Sequence, residues 1–152
     1  MVAALVVAAV YFVTVQANRE PRPPRTIEDT AFAGQAAALC SDTIPGLRAQ
    51  PDQNRREERN ERATAVRVER AAAGLEELTE EIEDLPVKPA DRAEVDDWLE
   101  AWREYIAAGR RYADAVRTGD ADAFSAQAEA SRDSLNRIGR FARANRIDAC
   151  IP

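Results

Sequence analysis

Apolar residues recur at spacings of three and four through most of the chain, the period of a helix buried along one face. The first such stretch covers residues 27–40, with Phe32, Ala36 and Leu39 as its stripe. Thr26 is placed to cap it, and Glu28 and Asp29 suit the positive end of the helix dipole. Residues 41–52 read as a loop, because Pro45-Gly46 and Pro51 break helical continuity. A second helix spans residues 53–85. Its first turns are almost wholly polar, and then Ala65, Val68, Ala72, Leu75, Leu78, Ile82 and Leu85 form an apolar stripe. Pro86 and Pro89 separate it from a third helix over residues 91–118, where Asp91 and Glu94 resemble a capping box. Val95, Trp98, Leu99, Trp102, Tyr105, Ile106, Gly109, Tyr112, Ala113 and Val116 share one broad face of that helix. Gly119 suits a left-handed C-terminal stop, and Asp120 caps a fourth helix over residues 120–145. Phe124, Ala128, Ser131, Leu135, Ile138 and Ala142 are its stripe. Four amphipathic helices with short links predict an all-α four-helix bundle over residues 26–152. No convincing repeat at a fixed period is present.

The start of the chain breaks this pattern. Residues 1–15 carry no charged side chain, and with Gln16 and Ala17 they form a segment, 1–17, read as a membrane anchor or a signal. The apolar run is short beside the ~20 residues of a full span and also fits a signal-peptide core. Val15-Gln16-Ala17 is a tolerable cleavage pattern, which would leave a secreted product; a retained anchor gives a single-pass membrane protein. Residues 18–25 form a Pro/Arg linker. Arg19, Arg22 and Arg25 would hold that flank in the cytoplasm by the positive-inside rule. The cysteines argue the opposite.

Cys40 and Cys150 flank the helical domain, behind an export-type segment. That placement reads as a disulfide formed outside the cytoplasm. Closing so long a loop stabilises the fold by about 4–5 kcal/mol on chain-entropy grounds. Helices two and four should run parallel, with helix three reversed between them. Cys150 then falls at the end of the bundle where helix two finishes, and the bond brings the end of helix one there. Residues 41–52 would climb back as a crossover reaching up to about 40 Å.

Composition removes more chemistry than it adds. The chain has 152 residues, no histidine and a formal net charge of −6. Histidine-based triads, His-paired cysteine nucleophiles and His-containing zinc or di-iron sites are excluded. The acidic balance argues against a nucleic-acid surface. Glycines do not cluster, so phosphate loops and dinucleotide fingerprints are absent. No cofactor or metal is expected. Glu76, Glu77, Glu80, Glu81, Glu83 and Asp84 form an acidic cluster read as a solvated face paired with arginines of neighbouring helices.

Two groups remain as candidate binding features. Trp98, Trp102, Tyr105 and Tyr112 lie in one stripe: core packing is the plain reading, a ligand or partner face the sharper one. Arg137, Arg140, Arg143 and Arg146 make the end of the fourth helix basic, which suits the helix dipole and also an anionic partner. Asp96, Asp97, Glu100 and Glu104 lie near the aromatics and carry a third, carboxylate-hydrolase reading.

The order of motifs is itself a pattern. Ala38-Leu39-Cys40 closes the first helix, Asp84-Leu85-Pro86 the second; Val87-Lys88-Pro89 links to the Trp98–Trp102 helix, and the chain ends near Cys150. This resembles a diffuse group of uncharacterised actinobacterial proteins, membrane-anchored or secreted, with a paired-cysteine helical domain. The resemblance implies export and supplies no activity or catalytic residue. The expectation is a non-enzymatic cell-envelope protein, held to the membrane by its N-terminal helix, whose domain outside the cytoplasm meets a partner such as another envelope protein. The alternative is a ligand-binding or sensory module with an aromatic pocket at Trp98 and Trp102.

Overall fold

A computed structural model describes residues 26–49 and 61–152. Four α-helices follow one another: α1 Thr30–Arg48, α2 Glu61–Glu83, α3 Arg92–Thr118 and α4 Ala121–Ala144, and a 3-10 turn, Asp148–Cys150, precedes the C-terminus. Among the described residues there is no strand, and no helix is long and apolar enough to cross a membrane. The expected leader, 1–17, and linker, 18–25, lie outside the described residues.

The α3–α4 hairpin is built as its signals require. Gly119 ends α3 at φ 69°, a left-handed conformation that costs glycine little, and the Asp120 carboxylate accepts from Ala123 N–H at 2.9 Å. α3 packs on both α2 and α4, and α1 packs on α2 and the C-terminal turn. Trp98 and Trp102 are the largest buried side chains. Trp98 stacks on Phe141 of α4 at 4.8 Å between centroids and meets Phe32 of α1 edge-on at 6.5 Å. Burial of each such ring contributes roughly 1.5–3 kcal/mol, with about 0.5–1.5 more from ring geometry. Both indole N–H groups are buried without an acceptor among the described residues, a cost that this aromatic packing offsets.

α1 departs from expectation at both ends. It starts at Thr30, capped by Asp29 rather than Thr26, and continues through Cys40 and Pro45 to Arg48. Residues 41–48 are therefore helix, not loop; the rest of the expected loop, and the expected first turns of the second helix, lie outside the described residues. Proline within a helix costs about 3 kcal/mol, through a lost hydrogen bond and a clash with the preceding turn. Here the ring faces solvent, while Ile44 is buried and Leu47 packs at Gly74 of α2. A Cβ at Gly74 would come within 2.6 Å of Leu47, so glycine permits this approach.

The topology around the cysteines changes accordingly. Cys40 and Cys150 do form a disulfide, with Cα atoms 5.0 Å apart. Yet α1 starts, rather than ends, at the end of the bundle where α2 finishes. This near end carries the α2–α3 link and the end of α4; the far end carries the Gly119 hinge. α1 itself climbs antiparallel to α2, so residues 41–48 make no extended crossover. Cys150 reaches the middle of α1 because the chain reverses after α4. Arg146 takes φ 58°, Ile147 N–H donates to Ala142 C=O at 2.9 Å, and Arg146 N–H donates to Arg143 C=O. This Schellman-type stop has arginine where glycine is usual. The tail then runs beside α1, and the Arg48 guanidinium donates to Ile151 C=O.

A polar clasp closes the near end. Ile27 N–H donates to Asn145 Oδ1 at 2.8 Å, while Glu28 and Asp29 N–H both donate to Asp91 Oδ2, at 3.0 and 2.9 Å. Asp29 accepts from Phe32 N–H at 3.1 Å and from Lys88 N–H at 2.9 Å. The expected capping box is not realised by Asp91, whose side chain makes no bond to its own helix end and serves the chain before α1 instead. Every backbone donor of residues 27–29 thus finds a side-chain acceptor, as buried backbone requires.

Two outcomes follow. Replacing both cysteines with alanine should lower unfolding free energy by about 4–5 kcal/mol, measured by urea titration, if the bond acts through the unfolded chain. Bonds from Phe32 and then Lys88 hold the Asp29 carboxyl below its ordinary 3.8. A depressed folded value gives stability that is full above the ordinary carboxylate range and lost as pH falls through the lowered value. Asp29→Asn should therefore be less stable than the parent at neutral pH, and urea midpoints of the two should converge in acid.

Candidate functional site

Burial changes along the helices. On α4, Phe124 is 40% exposed and Ala128, Ser131 and Leu135 are half-buried, whereas Ile138 and Ala142 are fully buried. The cause is the reach of α1. α2 and α4 flank α3, and no Cα of one comes within 8 Å of a Cα of the other. Near the clasp, α1 and the C-terminal turn fill the gap between them. α1 ends level with Gly74, while α2 extends from there back to Glu61, about 20 Å at helical rise.

The gap becomes a groove of about 240 Å³. Its walls are Val68, Ala72 and Leu75 from α2 and Ser131 from α4, and its floor is Tyr105, Ile106, Gly109 and Tyr112 of α3. None of the lining residues is charged. Phe124 lies on Tyr112, with ring centroids at 4.8 Å, next to the groove. A Cβ at Gly109 would meet only Val68, at 3.8 Å, so the floor there has room. The hydroxyls of Tyr105, Tyr112 and Ser131 make no hydrogen bond among the described residues. Burial pushes the Tyr105 hydroxyl up, so it stays protonated at any physiological pH.

The four aromatics singled out in the sequence therefore divide. Trp98 and Trp102 are 2% and 1% exposed and belong to the core, so they line no accessible ligand face. Tyr105 and Tyr112, one and two heptads farther along, lie past the described end of α1 and are half-buried among the described residues. The α3 face is continuous in sequence; only the length of α1 splits it into core and groove.

The arginines at the end of α4 sit in different settings. Arg137 pairs with Glu104 of α3, and the Arg143 guanidinium folds over Gly139. Arg140 is half-buried, and Arg146 lies beyond the helix in the reversing turn. Asp96, Asp97, Glu100 and Glu104 sit on exposed turns of α3; Glu100 pairs with Arg103, and these carboxylates converge on no common site.

Part of the acidic cluster has partners on α3. Glu83 pairs with Arg103 at 2.9 Å, Glu76 makes a bidentate pair with Arg110, and Glu69 pairs with Arg117. The glutamates are seven residues apart, as are the arginines, in opposite chain directions. That heptad ladder is legible in the sequence but is masked by the many other charges around it. It borders a charged recess of about 550 Å³ between α2 and α3. The Arg110 hydrogen bond holds the Glu76 carboxyl below its ordinary range. Among the described residues, no three acidic or cysteine side chains are gathered to hold a metal.

No family model, curated protein or solved structure matches the chain.

If the ladder acts as paired charges, Glu76→Arg alone and Arg110→Glu alone should each lower the melting temperature. The double exchange should recover most of the loss, and 1 M salt should shrink all three differences.

Proposed function

We propose that the chain is a non-enzymatic binding domain of the cell envelope, tethered to the membrane by its N-terminal apolar segment and facing away from the cytoplasm. Its binding face is the groove between α2, α3 and α4. The observation that carries this reading is the groove itself, lined by no charged residue and not closed by the other described residues, with Tyr105, Tyr112 and Ser131 in its lining. Pockets with apolar walls and a few polar groups are the usual form of a binding site.

Two further features support the placement. The Cys40–Cys150 disulfide belongs to an oxidising compartment, and Met1–Val15 has the uncharged composition of an export or anchor segment. The clasp holds Ile27, which follows the expected linker, at the near end, away from the far part of the groove at Val68 and Tyr112.

The test has two arms, both on the full chain in its native membranes. In one, a photoactivatable phenylalanine replaces Phe124 next to the groove or Glu80 on the charged side of α2. A discrete adduct from position 124 and none from position 80 is expected; equal adducts, or none, overturn the groove as binding face. In the other, cysteine at exposed Ala126 meets a membrane-impermeant thiol reagent in intact cells. Labelling is expected, and its absence until lysis overturns the orientation. Release of the labelled chain into the medium would replace the tether with a secreted form.

A further inference from the structure

We propose that the segment after α4, residues 146–152, is a redox-gated latch on α1. It lifts from α1 to admit a dithiol, which cuts the Cys40–Cys150 bond at Cys150. Once the bond is cut, the segment opens and closes apart from the rest of the bundle.

In the closed fold no thiolate reaches the bond, because Cys40 and Cys150 are both 0% exposed. The two sulfurs differ in what must move to uncover them. Cys40 lies in the middle of a helix, between buried Ala36 and Ile44 on the same face. Cys150 lies in a three-residue turn. In the oxidised chain its sulfur has no proton to donate, and among the described residues one hydrogen bond crosses from this segment to α1. It runs from the Arg48 guanidinium to Ile151 C=O and is exposed. Ile147 is the apolar anchor, at 2% exposure, while Ala149 and Ile151 are half-buried. Arg146 turns the chain at φ 58°, a left-handed conformation that a side chain disfavours. Few contacts and one strained residue make this the cheapest element near the bond to open.

The reduced state has its own closed form. Cys150 Sγ lies 3.4 Å from the Ala36 carbonyl oxygen. As a thiol it gains a proton to donate there. Reduction therefore replaces a covalent hold with a weak hydrogen bond, and the segment then moves on its own.

The chemistry is ordinary exchange. One thiolate of the dithiol bonds to Cys150 Sγ as the S–S bond breaks, and the electron pair leaves on Cys40 Sγ, which takes a proton from water. The second thiolate attacks its partner sulfur in the mixed disulfide, closes a ring and expels Cys150 as a thiolate, which is protonated in turn. The dithiol is oxidised by two electrons, and the protein disulfide becomes two thiols.

The experiment treats the oxidised full chain in phosphatidylcholine nanodiscs with dithiothreitol, and thiols are counted by alkylation and mass spectrometry. Arg146→Gly removes the left-handed cost at an exposed position and should slow reduction about threefold. Ile147→Ala should speed it at least tenfold. Ala108→Gly with Ala113→Gly loosens buried positions in the far half of α3 and should leave the rate within twofold. A tenfold rise in that double variant means that global unfolding admits the reagent. An unchanged rate in Arg146→Gly means that no opening is needed. Either result overturns the gate. With 2-mercaptoethanol and acid quenching, the trapped adduct should sit on Cys150, and an adduct on Cys40 overturns the site of attack. In the reduced chain, the amides of Ile147, Cys150 and Ile151 should exchange at least tenfold faster than the slowest amides of α3. One common rate for both sets overturns the latch.

Discussion

No Cα of α1 comes within 8 Å of a Cα of α4; the last residues of the chain pack against both helices, and the bond from Cys150 to Cys40 holds them there. In a closed four-helix bundle each helix touches two neighbours. Here one of those contacts is made by a 3-10 turn instead of a helix. Ile147 and Cys150 supply its apolar contacts and are buried to 2% and 0% exposure. So short a segment contributes little area, and a covalent bond between it and the middle of α1 offsets that shortage. The reversal at Arg146 exists to bring it there.

The same arrangement explains why one end of the molecule is solid and the other grooved. α1 is anchored at its start by the clasp and at its middle by the disulfide. From there it climbs only to the level of Gly74. α2, α3 and α4 continue past it with the same heptad of inward-facing residues, and no other described helix covers them there. The groove needs no special sequence. Among the described residues it results from a length difference between helices, with Tyr105, Tyr112 and Ser131 at lining positions that Leu or Ile could have filled.

The α3–α4 hairpin, the four-helix count and the cysteine pairing were legible in the sequence because each has a local physical signature. A glycine–aspartate hinge needs one left-handed residue and one acceptor. A helical stripe needs only spacing. Two cysteines leave a single intramolecular pairing. What escaped depends on distant residues. Pro45 reads as a breaker until Ile44 and Leu47 are known to pack on α2. Asp91 reads as a cap for its own helix, and its use by Glu28 and Asp29 has no sign in the neighbouring residues. Tyr105 and Tyr112 cannot be separated from Trp98 and Trp102 by period, because the period is the same; the division lies in where another helix stops.

The ladder of glutamates and arginines has a property that its individual pairs do not. Because both rows repeat every seven residues, sliding α3 along α2 by one heptad would still match two of the three pairs. Val68, Leu75 and Ile82 repeat at the same interval, so the apolar seam is nearly as indifferent. Such a surface states that two helices belong together and says little about their register. Register must come from groups that occur once: the short link through Pro86 and Pro89, the single lysine whose backbone N–H meets Asp29, and Gly74 under Leu47. The repeating charges govern affinity between the two helices, while a few unrepeated residues govern alignment.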